Sequence, residues 1–174
     1  HVIPNFHNPA GCTLAEDKRR RLVELAAEHG FTLFEDDPYR EVGFGGEPAP
    51  TMLSLDRADR VIYASSFSKT VSPGVRVGYL AGPVEAIAAL AKRANETYIS
   101  PNMLAESIVW ELCRSGGLAE NTETVKRALK ERRDALVEAL GKHLPEAEFV
   151  VPEGGYFLWL TLNDDVEAGS LLGA

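Results

Sequence analysis

Short apolar runs alternate with amphipathic segments along the chain. The apolar runs predict β-strands, which fall at 1–6, 31–36, 60–66, 76–82, 147–151 and 155–162. The amphipathic segments carry apolar residues three or four positions apart and predict helices, which fall at 13–29, after Pro83, from Pro101 to Gly116 and from about 120 to 141. This alternation favours an α/β fold with a mostly parallel sheet and helices on both faces.

The first predicted helix has a start and a stop signal in the sequence. Thr13 and Glu16 have the spacing of a capping box, in which each side chain accepts from the backbone N–H of the other's residue. Gly30 follows the last apolar position and is a typical helix stop. The helix is therefore expected to span 13–29.

Composition narrows the classes of protein. The 174 residues carry a net charge of −8, which argues against a nucleic-acid-binding surface. No apolar run approaches the length of a membrane span, which is roughly 20 residues. The two cysteines predict a reducing, cytoplasmic setting. Cys12 lies near His7, but no zinc pattern is completed, so no metal site is predicted.

The two ends read as the interior of a longer protein. The chain opens directly on the strand-like run HVIPNF without an initiator Met, and it stops at EAGSLLGA, which resembles the start of a helix. Domains usually begin and end in exposed polar segments. We therefore expect an internal segment that does not fold well on its own.

Polar residues gather where three predicted strands end. PNFHNPAG follows the first strand, EDDPY ends the second and SSFSK ends the third. Ligands of open α/β sheets bind beyond the carboxyl ends of the strands. The sequence therefore predicts a binding site at this edge.

The third of these strand ends combines an amine with groups that bind phosphate. Lys69 can form an imine with an aldehyde. Ser66 and Ser68 offer hydroxyl donors, and Arg76 offers a guanidinium suited to a phosphate dianion.

The other two strand ends add groups suited to an aromatic ring. Asp36 can pair with a protonated ring nitrogen, and Tyr39 and Asn8 can donate to a phenolate oxygen. An aldehyde, a phosphate, a pyridinium and a phenolate together describe pyridoxal 5′-phosphate, which serves enzymes as an electron sink.

Each of these residues also has a structural explanation. Lys69 could cap a helix C-terminus, and Asp36-Asp37-Pro38 could be a turn. Arg76 could pair with an acid, and the Asn8 segment could be a loop. The functional interpretation is favoured because these explanations would all have to hold at once.

The same residues carry a resemblance to a known family. The motifs are N-P-x-G at 8–11, D-x-x-Y at 36–39, S-x-S-K at 66–69, P-G-x-R-x-G at 73–78, SPNMLAES at 100–107 and PEGGYFLW at 152–159. In order and spacing they resemble fold-type I, class I/II aminotransferases, and most closely the 2-aminoadipate and kynurenine aminotransferase branch. The resemblance implies the large domain of a pyridoxal-phosphate-dependent transferase.

The resemblance implies a role for each residue. Lys69 would form the internal aldimine and then move the proton from substrate Cα to C4′. Asp36 would hold the pyridine nitrogen protonated, whereas Asp37 is the less suitable acid because the family's acid lies three residues before the Tyr. Tyr39 and Asn8 would contact the cofactor's O3′, and Asn8 also the substrate carboxylate.

The resemblance further implies a phosphate site and a domain division. Ser66, Ser68 and Arg76 would hold the phosphate. Residues 1–118 would form the C-terminal part of the cofactor-binding domain, and 119–174 the interdomain helix and the start of a small domain. A glycine-rich phosphate loop, a ring-stacking aromatic and a carboxylate-binding arginine would lie outside the chain, and a second subunit of a homodimer would complete the site.

Two other classes of function stay open. One is the aminotransferase-like effector domain of a bacterial transcription regulator, and the other is a lyase or racemase on the same fold. The substrates would be an amino acid and a 2-oxo acid, with aromatic, aminoadipate-like and branched-chain donors equally suitable. Val75, Tyr98 and Tyr156 are candidates for pocket residues, although apolar residues at such places are more often core.

Overall fold

A computed structural model describes residues 1–162 and residue 169. Within these residues the α-helices, labelled α1 to α5, are Glu16–His29, Met52–Leu55, Val84–Tyr98, Met103–Ser115 and Gly117–His143. The strands, labelled β1 to β5, are Leu33–Asp36, Val61–Ser66, Gly78–Ala81, Glu148–Phe149 and Leu160–Thr161. The predicted helix-like start in EAGSLLGA lies outside the described residues, apart from Gly169.

The main sheet has the order β1-β2-β3. β1 and β2 are parallel, and Val2 adds a further parallel bridge to Glu35 on the other side of β1. β3 is antiparallel to β2, because residues 67–77 turn back through a short 3₁₀ segment at Pro73–Val75 instead of a crossover helix. The α/β fold class is confirmed, with β3 as its antiparallel member.

The predicted helices and strands are present, but the strands are shorter than the apolar runs that predicted them. The first apolar run contributes the single bridge at Val2, since Pro4 has no N–H to donate to a ladder. The run at 155–162 pairs only at Leu160–Thr161. It enters through Gly155, whose φ of 77° breaks the extended conformation.

The predicted capping box is wrong. α1 begins at Glu16, and its N-cap is Ala15, which offers no side-chain cap. The Thr13 hydroxyl instead accepts a hydrogen bond from the Phe6 backbone N–H at 3.3 Å. Thr13 has the spacing of a helix cap, but its hydroxyl binds the backbone of the preceding loop and not that of α1.

The buried core lies beside the β1–β2 pair. Its members are apolar residues of α1, α2 and the two strands, namely Val23, Ala26, Leu33, Met52 and Val61. Burying the larger of these side chains contributes roughly 1.5–3 kcal/mol each, so the cluster anchors the two strands at their first residues, Leu33 and Val61.

Three helices, α3, α4 and α5, follow β3 in succession. α4 ends at Gly116, whose φ of 81° lets the chain turn directly into α5. None of the helices in the described part of the chain is long and apolar enough to cross a membrane.

Candidate active site at the ends of β1 and β2

Lys69 lies in the turn that follows β2. The turn is closed by the Val71 backbone N–H, which donates to the Phe67 carbonyl at 2.8 Å. The Lys69 amine nitrogen Nζ lies 5.6 Å from the ring centroid of Tyr39 and 5.1 Å from that of Tyr156. Two aromatic rings therefore lie close to the amine.

Asp36 and Tyr39 reach the same place from β1. Asp36 is the last residue of β1 and pairs in register with Ala64 of β2, so the two parallel strands end side by side. Tyr39 follows in the turn, and only 5% of its surface is exposed. The parallel pairing thus brings the predicted acid and phenol to the predicted lysine.

The Tyr39 phenol is tuned by its surroundings. Burial raises its pKa most, the nearby Asn8 side chain partly offsets that rise, and the Asp36 carboxylate adds to it. A phenol with a raised pKa keeps its proton at neutral pH and can donate a hydrogen bond. The structure therefore brings Asn8, Asp36, Tyr39 and Lys69 together.

The two neighbouring acids, Asp36 and Asp37, have different environments. The Asp36 side chain is 35% exposed and lies 3.1 Å from the His1 ring nitrogen Nε2, and partial burial raises its pKa. The Asp37 side chain is fully buried. A ligand at the strand ends can reach Asp36, while Asp37 is enclosed by protein.

A buried polar network surrounds Asp37. The Asn5 amide nitrogen donates to both Asp37 carboxylate oxygens at 2.8 Å. Arg19 donates to the Asn5 side-chain oxygen at 2.7 Å and to the Pro4 carbonyl at 3.1 Å. Burial nevertheless raises the pKa of Asp37 to about 6. This network fixes the backbone on which Asp36 and Tyr39 are placed.

The predicted phosphate-binding residues are only partly assembled. Arg76 has a φ of 53°, and its guanidinium nitrogen Nη1 lies 3.5 Å from the Ser68 hydroxyl and 3.2 Å from the Pro73 carbonyl. Ser66 is the last residue of β2 and pairs with Gly78. Within the described residues, Ser66 makes no hydrogen bond to Ser68 or Arg76.

The segment 153–157 forms a further wall. The Phe44 N–H donates to the Glu153 carbonyl at 2.8 Å, and the Gly155 N–H donates to the Val42 carbonyl at 3.0 Å. These bonds carry Tyr156 to Lys69, and the Tyr156 hydroxyl donates to the Lys69 carbonyl at 3.1 Å.

Sequence reasoning missed the buried network and weighted Tyr156 too low. Arg19 precedes Val23 and Ala26 by four and seven positions, so its place on the buried face of α1 was readable from helical spacing. The contact of Tyr156 with Lys69, 87 residues away in the chain, has no local signal.

The chain is similar to known proteins over nearly its whole length. Residues 2–170 match the family model for aminotransferase class I and II. The aromatic-amino-acid aminotransferase 1 of Thermococcus litoralis is 35% identical over 99% of this chain. The chain spans 42% of the length of that relative.

A regulator and a solved enzyme structure are also similar. The uncharacterized HTH-type transcriptional regulator YisV of Bacillus subtilis is 34% identical over 95% of this chain, which covers 34% of the regulator. The crystal structure of Pyrococcus horikoshii kynurenine aminotransferase, in complex with PMP, superposes with a TM-score of 0.94 at 37% identity, over 99% of this chain and 43% of that one.

Proposed function

We propose, from the premise that this chain belongs to the aminotransferase class I and II family, that the whole protein is a pyridoxal-phosphate-dependent aminotransferase. It would move an amino group between an amino acid and a 2-oxo acid. The observation that carries the proposal is the position of the Lys69 amine near the rings of Tyr39 and Tyr156, because Tyr39 in turn has Asp36 and Asn8 as neighbours.

The donor set fits the chemistry of pyridoxal phosphate. When bound, this cofactor supplies an aldehyde that exchanges amines and a ring that withdraws electrons. Lys69 would hold it through Nζ, Asp36 at the ring nitrogen, and Tyr39 with Asn8 at the phenolic oxygen. Ser66, Ser68 and Arg76 would hold the phosphate, a role supported by the 3.5 Å approach of Arg76 to Ser68.

The chain's own residues would carry the proton transfers. Once the substrate amine has displaced Lys69, the Lys69 Nζ would be free to act as a base. It would take the proton from the substrate Cα and deliver it to C4′. The Asp36 carboxylate would stabilise the charge that develops during that transfer. The partial exposure of Asp36 supports this role over one for the buried Asp37.

The rest of the assignment extends to substrates, assembly and location. The donors would be aromatic or 2-aminoadipate-like amino acids, as the names of the similar enzymes suggest, although branched-chain donors suit the site equally. Residues 1–118 would belong to the cofactor-binding domain and 119–174 to the start of the small domain, which is supported by the break at Gly116.

We also propose a homodimer that works in the cytoplasm. Large apolar side chains stay exposed on α3 and α4, which supports a covered surface in the complete protein; they include Tyr98, Ile99, Leu104 and Trp110. Cys12 and Cys113 are free thiols, as expected in a reducing compartment.

Half-reaction spectroscopy of the full-length protein tests the function. An amino donor should bleach the absorbance of the bound aldehyde, and a 2-oxo acid should restore it. A lyase or racemase would not complete this cycle.

The similarity to YisV favours one second candidate, an effector domain that binds the cofactor as a sensor. Such a protein would bind the amino acid without turnover. Turnover of both half-reactions at ordinary enzyme rates, around 10 per second, would exclude it.

A further inference from the structure

We propose that Tyr156 is a positioning residue that holds Lys69 for its reaction, an inference that rests on the proposed function. Its phenol and its ring act on different parts of Lys69. The hydroxyl donates to the Lys69 carbonyl at 3.1 Å, and the ring lies 5.1 Å from the amine nitrogen Nζ.

The phenol is suited to act as a donor at this position. Burial raises the pKa of Tyr156 most, and the neighbouring Tyr39 raises it further. The hydroxyl therefore keeps its proton through the neutral range. The hydrogen bond fixes the backbone of the turn and so sets where the Lys69 side chain starts.

A second side chain holds the next carbonyl of the same turn. The Asn121 amide nitrogen donates to the Thr70 carbonyl, as Tyr156 does to the Lys69 carbonyl. Two successive carbonyls are thus held by side chains that follow Gly116 in the sequence. The turn that contains Lys69 is therefore held by residues far from it in the chain.

The ring of Tyr156 lies beside that of Tyr39 on one side of the amine. Its centroid lies 6.2 Å from that of Tyr39 with the planes at 52°, and Nζ lies within 6 Å of both. Aromatic faces attract a cationic nitrogen, so the pair restricts the directions that Nζ can take. Tyr39 in turn packs edge-on against Phe157 at 5.8 Å.

The position of Tyr156 is fixed by the segment that carries it. The Gly155 N–H is bound to the Val42 carbonyl, and Gly154 forms an antiparallel bridge with Gly43. The Phe6 ring packs against Gly154 so closely that a Cβ there would lie 2.5 Å from it. The backbone at Gly154 and Gly155 is therefore held on both sides, and it fixes the position of Tyr156 beside Lys69.

The test separates the hydroxyl from the ring in the full-length protein. Apo protein is mixed with pyridoxal phosphate, and the rate of its covalent capture by Lys69 is followed by absorbance and by borohydride trapping with peptide mapping. Tyr156→Phe removes the hydrogen bond, and Tyr156→Leu removes the ring as well. Tyr79→Phe is the matched control, because Tyr79 packs on Tyr63 of β2 and on Phe67, the residue after β2.

The expected order of capture rates follows from the two contacts. Tyr156→Phe should slow capture about fivefold, as the loss of one net hydrogen bond predicts. Tyr156→Leu should slow it roughly thirtyfold, because the ring that limits the positions of the Lys69 side chain is also lost. The control should capture and melt like wild type, and Tyr156→Phe should melt only slightly lower, because the lost hydrogen bond also contributes to folding.

Capture by Tyr156→Phe and Tyr156→Leu within twofold of wild type would overturn the inference. Should Tyr156→Leu fail to fold, Tyr156→Phe decides the matter by itself. Failure of the proposed function has a different signature: wild-type protein would fail the half-reaction cycle while capture and its dependence on Tyr156 stay the same, or, if no cofactor binds, would show no trapping at Lys69 at all.

Discussion

Asn5 and Asp37 form a buried pair in which the amide nitrogen lies 2.8 Å from each carboxylate oxygen. Arg19 occupies the other side of the Asn5 amide and so fixes its orientation. Asp37 is therefore committed to the protein interior, and its neighbour Asp36 is the acid left at the site. The two adjacent carboxylates should respond differently to the same substitution.

Asp36→Asn in the full-length protein should retain the cofactor and lose most of the rate. The Asp36 carboxylate is expected to stabilise the charge that develops in the transition state more than it stabilises the bound cofactor. The loss should be on the order of a thousandfold in kcat, which corresponds to about 4 kcal/mol. Asp37→Asn is the matched comparison; a damaging Asp37→Asn beside a benign Asp36→Asn would show that the assignment is one residue out of register.

The buried Asp37 should make stability depend on pH. Its pKa is raised from 3.8 to about 6, so the native state prefers the protonated form. Tighter binding of the Asp37 proton in the native state than in the unfolded chain stabilises the fold. This contribution to the free energy of unfolding is fully present below pH 3.8 and is lost as the pH rises through about 6. Asp37→Asn cannot ionise, and relative to wild type it should gain on the order of 3 kcal/mol between about pH 4 and about pH 7.

Chemical unfolding at several pH values measures this difference. Gly141→Ala, which changes no titratable group, is the control and should show a constant difference from wild type. A flat profile for Asp37→Asn as well would show that Asp37 is ionised in the native state throughout the range.

The sequence predicted the site better than the details around it. Asp36, Tyr39 and Lys69 were predictable because parallel strands end at one edge of a sheet and the motifs mark those ends. Arg19 was missed because composition does not distinguish it from its exposed neighbours in the run KRRR, although its helical spacing to Val23 and Ala26 marks it as the inward one.

Long-range contacts explain the remaining differences. Thr13 has the spacing of a cap, yet it bonds to Phe6, seven residues earlier. Tyr156 reaches Lys69 through a tertiary arrangement of segments that no local pattern encodes. Local signals predict elements, whereas packing decides which of two suitable partners a side chain takes.

Lys69 should be the lysine that borohydride labels in the cofactor-loaded, full-length protein. Its Nζ lies within 6 Å of the centroids of the Tyr39 and Tyr156 rings, while Lys92 is exposed on α3. Lys69→Ala should abolish both the labelling and transamination. Peptide mapping after reduction checks this, and label at Lys92 instead would disprove the assignment.

The 174-residue chain expressed alone should aggregate or melt without cooperativity. Large apolar side chains are exposed on β3, α3 and α4; for example, Ile99 is 81% exposed and Leu104 is 73% exposed. Contiguous apolar surface of this kind associates in water. Size-exclusion chromatography and calorimetry of the chain and of the full-length protein test this. A sharp melt of the isolated chain with tight cofactor binding would contradict it.

Gly154→Ala should destabilise the full-length protein and also disturb Tyr156. The new Cβ would lie 2.5 Å from the Phe6 ring, which is already enclosed by Gly43 and Gly155. Overpacking of this kind costs about 1–3 kcal/mol. Gly141→Ala is the matched control, since nothing lies within 4 Å of its Cβ and alanine favours the interior of α5 by up to about 1 kcal/mol.

A second substitution distinguishes a clash with Phe6 from a general need for glycine at position 154. Phe6→Leu shortens the side chain and should restore part of the stability lost in Gly154→Ala, together with the rate of cofactor capture by Lys69. Thermal melts and capture kinetics of the single and double variants measure both effects. If the two losses simply add, the Phe6 ring is not what excludes a side chain at 154, and the rigid placement of Tyr156 must then come from the backbone bonds to Val42 and Phe44 alone.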